Sequence, residues 1–137
     1  MVKVLIVDDD PSVAEDTSLT LMSVSKKYEP LAASGGAEAL LQYQANKDLG
    51  LVILDTDLNP TQEKGWQVYD TLRNAGYQGP ALAMSGNEQS PEWKKRSVEF
   101  LSKAASPQEL EATVNRLIDA CTVSLFLHNA YKATLSS

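Results

Sequence analysis

The feature that most constrains this chain is a set of short, unbroken apolar runs, each closed by a polar or charged residue. Val4-Leu5-Ile6-Val7 stops at Asp8 and Asp9, Leu51-Val52-Ile53-Leu54 stops at Asp55, and Ala81-Leu82-Ala83-Met84 stops at Ser85-Gly86. Runs of this length without polar alternation are what strands covered on both faces require. Two weaker candidates complete the series. Leu31 to Ala33 is one, and Pro30 beside it cannot donate to a ladder, which places that strand at a sheet edge. Val98 to Leu101, with Glu99 between apolar residues, is the other and ends near Lys103.

Helical patterns separate these runs. Pro11 suits a first helical turn, and Ala14, Thr17, Leu21, Val24 and Tyr28 follow at helical spacing. Ser34-Gly35-Gly36 opens a second helix carrying Ala37, Leu40 and Leu41. Gly65 to Ala75 reads as a third, with Val68 and Leu72 one turn apart and Gly76 as its stop. Pro107 begins a last helix with Leu110, Val114, Leu117 and Cys121 on one face. Between Ser85 and Val98 little room remains; Pro91 interrupts it, and Lys94-Lys95-Arg96 reads as a solvated helix end. Strand alternating with helix predicts an α/β, doubly wound three-layer sandwich with a parallel sheet and a fourth helix that is short or irregular.

Composition narrows the function. With 137 residues the chain suits one domain, and its 12 basic against 18 acidic residues give a net charge of −6. That balance offers no general attraction to nucleic acid or to an anionic membrane. The single Cys121 cannot form an internal disulfide, and no Cys/His cluster has zinc-ligand spacing. No stretch approaches the roughly 18 apolar residues of a membrane span, and the N-terminus runs from an apolar segment straight into three aspartates. A cytoplasmic domain is expected.

The residues at the carboxyl ends of the runs carry the chemistry. In an open α/β sheet the site forms outside those ends, near the reversal of strand order. Asp8, Asp9, Asp55, Asp57, Ser85 and Lys103 would therefore converge. Clustered carboxylates repel strongly unless a divalent cation, a raised pKa or a lysine relieves them. Magnesium suits an all-oxygen site shared with phosphate. A carboxylate nucleophile, a lysine and a hydroxyl donor are also the parts of phosphoryl transfer; Asp55, Lys103 and Ser85 supply them.

Four segments in order, Val4 to Ser12, Leu51 to Asp55, Ala81 to Gly86 and Phe100 to Lys103, resemble the receiver domains of two-component response regulators. The resemblance spans roughly residues 2 to 120. It implies a flavodoxin-like five-stranded parallel sheet of order 2-1-3-4-5. It also implies that Asp9 and Asp55 ligate Mg2+ with the backbone carbonyl of Asp57, while Asp8 acts mainly through a metal-bound water. Asp55 would accept a phosphoryl group from a histidine kinase or histidine phosphotransfer protein. Ser85 and Lys103 would then move towards the phosphoryl oxygens, with Phe100 as the aromatic switch residue. The chain would act as a phosphorelay switch for a downstream protein target rather than as an enzyme, with auto-phosphorylation and slow auto-dephosphorylation only.

Several places depart from that pattern. Ala104 stands where proline normally follows the lysine, which raises the alternative that Lys103 is mispositioned. Pro60 and Gly65 lie further beyond Asp55 than the family spacing; counting from Asp57 restores the interval to Gly65 and makes Asp57 the alternative acceptor. Asp55 is preferred because it directly ends the apolar run. Simpler roles compete throughout: helix-capping for Asp8 and Asp9, turn formation for Asp57 and Ser85, core packing for Phe100 and Cys121, and a structural or exposed place for His128. A pseudo-receiver that only binds partners is the second reading. The third is a haloacid-dehalogenase-type phosphatase, from Asp55-x-Asp57.

Residues 121–137 form an apolar C-terminal extension with Val123, Leu125, Phe126, Leu127, Tyr131 and Leu135. Three arrangements are open: continuation of the last helix, folding back, or cover for a partner, including a homodimer mate.

Overall fold

A computed structural model describes residues 1–59, 62–86 and 89–136, and of residues 122–126, 128 and 136 the backbone only. Pro60 and the side chains of Val123, Leu125, Phe126 and His128 lie outside the described residues. In chain order the elements are β1 (Val2–Val7), α1 (Pro11–Val24), β2 (Tyr28–Ala33), α2 (Gly36–Ala45), β3 (Leu51–Asp55), β4 (Asp57–Leu58) and β5 (Glu63–Lys64). They continue with α3 (Gly65–Asn74), β6 (Ala81–Ser85), α4 (Pro91–Lys95), β7 (Glu99–Ser102) and α5 (Pro107–Ser136).

The five long strands form one parallel sheet in the order β2-β1-β3-β6-β7. Counted among themselves this is 2-1-3-4-5, the flavodoxin-like order, so the expected fold class is the observed one. Alternate side chains of each strand feed opposite faces. Leu5, Val7, Val52 and Leu54 pack with Tyr43 of α2, Val68 and Leu72 of α3 and Trp93 of α4. Val4, Ile6, Leu51 and Ile53 pack on the other side with Ala14 and Leu21 of α1 and Leu110 and Val114 of α5. Cover on both faces is why the runs contain no polar residue. The edge position of β2 tolerates Pro30, which stands opposite Val4.

The structure corrects several boundaries. Tyr28 starts β2 rather than continuing the α1 face, because Ser25 leaves the helix in an extended conformation. Its ring is buried, and its hydroxyl donates to Asn115 Oδ1 on α5. On α2 the buried positions are Ala39 and Tyr43, whereas Leu41 is exposed. The last sheet strand is Glu99–Ser102, one residue later than read, with Val98 buried ahead of it. Pro91 does not interrupt α4 but begins it, since a proline at the first helical position loses no helical hydrogen bond; Ser90 caps this five-residue helix by accepting from the Glu92 amide. Gly76 ends α3 at φ +110°, a backbone region that favours glycine.

Beyond Asp55 the chain forms a small antiparallel β4–β5 hairpin, with Asp57 opposite Lys64 and Leu58 opposite Glu63. Gln62, with φ 59°, makes its turn towards β5. At the other end α5 runs on through the extension as one helix of 30 residues. Leu110 and Val114 are buried and Cys121 is half-buried, while Leu127, Tyr131 and Leu135 are exposed. Among the described residues no helix is long and apolar enough to cross a membrane.

Candidate functional site

The parallel sheet brings the ends of β1, β3, β6 and β7 to one edge. Asp8 follows β1 directly and is buried; its Oδ1 accepts the backbone N–H of Asp10 at 2.9 Å, turning the chain into α1. Asp10 caps that helix by accepting from the Ser12 amide at 3.0 Å. The helix-capping role weighed for Asp8 and Asp9 thus falls to Asp10, which leaves Asp9 half-buried at the site.

Asp55 is the last residue of β3, with its side chain 11% exposed. One oxygen each of Asp8, Asp9 and Asp55 lies within 4.8 Å of the others. From the end of β7, Lys103 reaches across, its Nζ 2.9 Å from Asp8 Oδ2 and 3.2 Å from Asp55 Oδ1. Ala104 therefore does not displace the lysine. Its amide, which a proline would lack, donates to Ser102 Oγ at 3.1 Å and holds the turn.

Electrostatics follow from this packing. Burial, and then repulsion from Asp8, push the Asp55 carboxyl up to about 6 against the opposing pull of Lys103. Burial draws the Lys103 ammonium down, but the Asp8 and Asp55 carboxylates outweigh it and hold its pKa above the ordinary value. An excess of buried negative charge remains. The ligand atoms that Asp8, Asp9 and Asp55 offer are hard carboxylate oxygens, the chemistry a small divalent cation prefers. Octahedral magnesium places its oxygens about 3–4 Å apart, so the three carboxylates fit after a modest closure.

The other residues take distinct places. Ser85 ends β6, is buried, and accepts the Lys103 amide on its carbonyl at 3.0 Å, which ties the hydroxyl-bearing strand end to the lysine. Phe100 is half-buried on β7 opposite Ala83 and packs against the core under α2, α3 and α4. Asp57 is drawn away from the carboxylate cluster: on β4 it pairs with Lys64 Nζ at 2.5 Å. His128 belongs to the C-terminal part of α5. Of Lys94-Lys95-Arg96, read as a solvated helix end, Arg96 does otherwise. Its guanidinium spans both oxygens of Asp70 at 2.8 Å each and also meets Glu92 at 2.8 Å, tying α4 to α3.

Two features were missed in the sequence. Trp93 is fully buried beneath the site, and its indole N–H donates to Thr56 Oγ1 at 3.1 Å. Glu63 of the hairpin accepts the Gly36 amide at 2.7 Å, at the start of α2. A Cβ on Gly36 would stand 2.4 Å from that carboxylate, so any other residue there would make the Glu63 side chain shift. Neither contact has a local signal, because each joins residues far apart in the chain.

Comparison with known proteins agrees with the geometry. Residues 4–115 match the model of the response regulator receiver domain family. The chemotaxis protein CheY4 of Vibrio cholerae is 28% identical, with a TM-score of 0.75 over 85% of this chain and 98% of that one. A response regulator receiver protein from Sinorhizobium medicae is 24% identical, with a TM-score of 0.73 over 87% and 95% of the two chains. The N-terminal domain of a response regulator/sensory box/GGDEF protein from Carboxydothermus hydrogenoformans is 20% identical, with a TM-score of 0.78 over 90% and 98%. The last two show likeness of fold alone. No curated protein matches the sequence significantly. With the family model covering most of the chain and the acids and lysine of an aspartate pocket meeting at the sheet edge, this protein belongs to the response regulator receiver domains, which are phosphoacceptor switches rather than enzymes.

Proposed function

We propose that the protein works as a phosphorelay switch in which Asp55 accepts a phosphoryl group from a phosphohistidine. The observation that carries this reading is the pairing of the two candidate acids. Asp55 lies among Asp8, Asp9 and Lys103, whereas the Asp57 carboxylate is engaged by Lys64. A carboxylate oxygen of Asp55 attacks phosphorus, the P–N bond of the donor imidazole breaks, and that nitrogen keeps the electron pair and takes a proton. The product is an aspartyl phosphate. The donor is a histidine kinase or a histidine phosphotransfer protein.

Asp9 and Asp55, with Asp8 beside them and the backbone carbonyl of Asp57, would hold Mg2+, which when bound neutralises phosphoryl charge. Lys103 holds Asp55 in place before transfer and then pairs with a phosphoryl oxygen. Ser85 donates its hydroxyl to another oxygen, and Phe100 follows that movement inward, altering the surface offered to a downstream protein target. The receiver comprises residues 1–120 and acts in the cytoplasm. The extension, 121–137, presents Leu127, Tyr131 and Leu135 at four-residue intervals on one exposed stripe, suited to a second copy of the chain. Light scattering of the full chain against a Leu127→Glu/Tyr131→Glu variant tests that contact; a monomer in both rejects it.

The acceptor is tested by intact mass after incubation with acetyl phosphate and Mg2+. One phosphoryl group is expected on the wild type and on Asp57→Asn, and none on Asp55→Asn. Uptake that survives Asp55→Asn overturns the assignment, and no uptake by the wild type favours the pseudo-receiver.

A further inference from the structure

Thr56, the residue after the proposed acceptor, is held from three directions. Its amide donates to Asp55 Oδ1 at 2.9 Å, and its carbonyl accepts the Gly65 N–H at 2.8 Å. Its hydroxyl accepts the Trp93 indole N–H at 3.1 Å, with both side chains buried. The close approach of Gly65 shapes this clamp. A Cβ there would stand 1.9 Å from the Asp55 carbonyl oxygen and 3.0 Å from Trp93 Cζ2, so the indole packs into room that only glycine leaves. Trp66 meets the same indole edge-on at 6.0 Å between ring centroids.

Trp93 belongs to α4, a helix of five residues whose own backbone ladder gives it little rigidity. The Asp70–Arg96–Glu92 pairs fix its outer side and the indole fixes its inner side. Phenylalanine would fill most though not all of the space that the buried indole occupies, and filling it calls for no nitrogen donor. The placement of a donor opposite a threonine hydroxyl is a directional feature that burial does not require.

We infer that Trp93, acting through Thr56, is a positioning residue for the Asp55 carboxylate. The inference rests on the reading of Asp55 as phosphoryl acceptor. With the hydroxyl tethered, the Thr56 amide stays aimed at Asp55 Oδ1, and the carboxylate keeps the orientation from which it attacks. Orientation of this kind acts on the rate of transfer more than on capture of the donor.

The test measures phosphoryl uptake by the full chain against acetyl phosphate concentration at fixed Mg2+. Thr56→Val keeps shape and removes the acceptor, Trp93→Phe keeps a ring and removes the donor, and Thr56→Ser restores the hydroxyl. Each of the first two variants should lower the saturating rate about fivefold to tenfold. The half-saturating concentration should change by less than about twofold, and the double variant should fall no further than the worse single one. Thr56→Ser should stay near the wild type. Unchanged rates in Thr56→Val, or losses that simply multiply in the double variant, overturn the inference. If the wild type takes up no phosphoryl group, the acceptor reading fails, and calorimetric Mg2+ affinity then judges the positioning role. A loss of about threefold or more in both single variants, with no further loss in the double, supports it, whereas affinity equal to the wild type, or no Mg2+ binding at all, rejects it.

Discussion

Two acid–lysine pairs have acids only two residues apart along the chain, Asp55 and Asp57, and they differ in almost every physical respect. Asp55 and Lys103 join strand ends 48 positions apart, with side chains 11% and 28% exposed and Asp8 as a second anion on the same ammonium. Asp57 and Lys64 close a local hairpin, with side chains 45% and 43% exposed. The chemical groups are identical, so the contrast isolates environment. In the first pair water is largely excluded, repulsion between carboxylates goes unscreened, and Asp55 titrates near 6. In the second, solvent screens both partners, and such pairs contribute at most about 1 kcal/mol. The proposed acceptor is set apart by its surroundings, which an Asp-x-Asp sequence does not display.

The largest expected difference comes from removing each lysine. Lys103→Met leaves two buried carboxylates without their cation and should destabilise the protein by about 3 kcal/mol at neutral pH. Lys64→Met should cost less than about 1 kcal/mol. Urea denaturation at low salt measures both, and equal losses would break the contrast.

The next effect has the opposite sign. The folded pKa of Asp55 lies above the unfolded value of 3.8, so its proton is bound more tightly in the folded state. The ionised side chain is therefore a penalty absent below about pH 4, growing up to about pH 6 and complete above it. Two pKa units correspond to about 3 kcal/mol as an upper figure. Asp55→Asn should accordingly raise stability by about 2 kcal/mol at pH 7.5, with the gain shrinking to nothing at pH 4. Asp57→Asn, which removes one partner of a solvent-screened surface pair, should change stability by less than about 1 kcal/mol. Thermal melts across that pH range without divalent cations decide the matter, and a flat profile for Asp55→Asn contradicts the environment described.

The smallest effect sharpens the hairpin side. Glu63→Gln keeps an acceptor for the Gly36 amide but removes the charge at the start of α2, where the helix dipole favours an anion. A loss of about 0.5 kcal/mol is expected in urea, and phosphoryl uptake on Asp55 should not change. A large loss of uptake would show that the hairpin belongs to the reactive site.

Legibility in the sequence followed the range of the causes. Asp8, Asp9, Asp55, Ser85 and Lys103 could be read because each ends an apolar run, and the topology of a parallel sheet sends all such ends to one edge. The short α4 was visible as the little chain length between Ser85 and Val98. Tyr28 was misplaced because an aromatic residue at helical spacing also suits a strand. The β4–β5 hairpin was hidden because Gln62 adopts a positive φ that glycine or asparagine would have advertised. Nothing local linked Trp93 to Thr56 or Glu63 to Gly36.

Alternation of buried strands with helices, dictated by hydrophobic patterning, determined the layered architecture and which residues could meet. The end of the apolar run already favoured Asp55 over Asp57, but only the tertiary structure shows what separates them: which lysine reaches which carboxylate and how much water each retains. Pattern is a property of neighbours in the chain; desolvation and orientation arise only when distant segments pack.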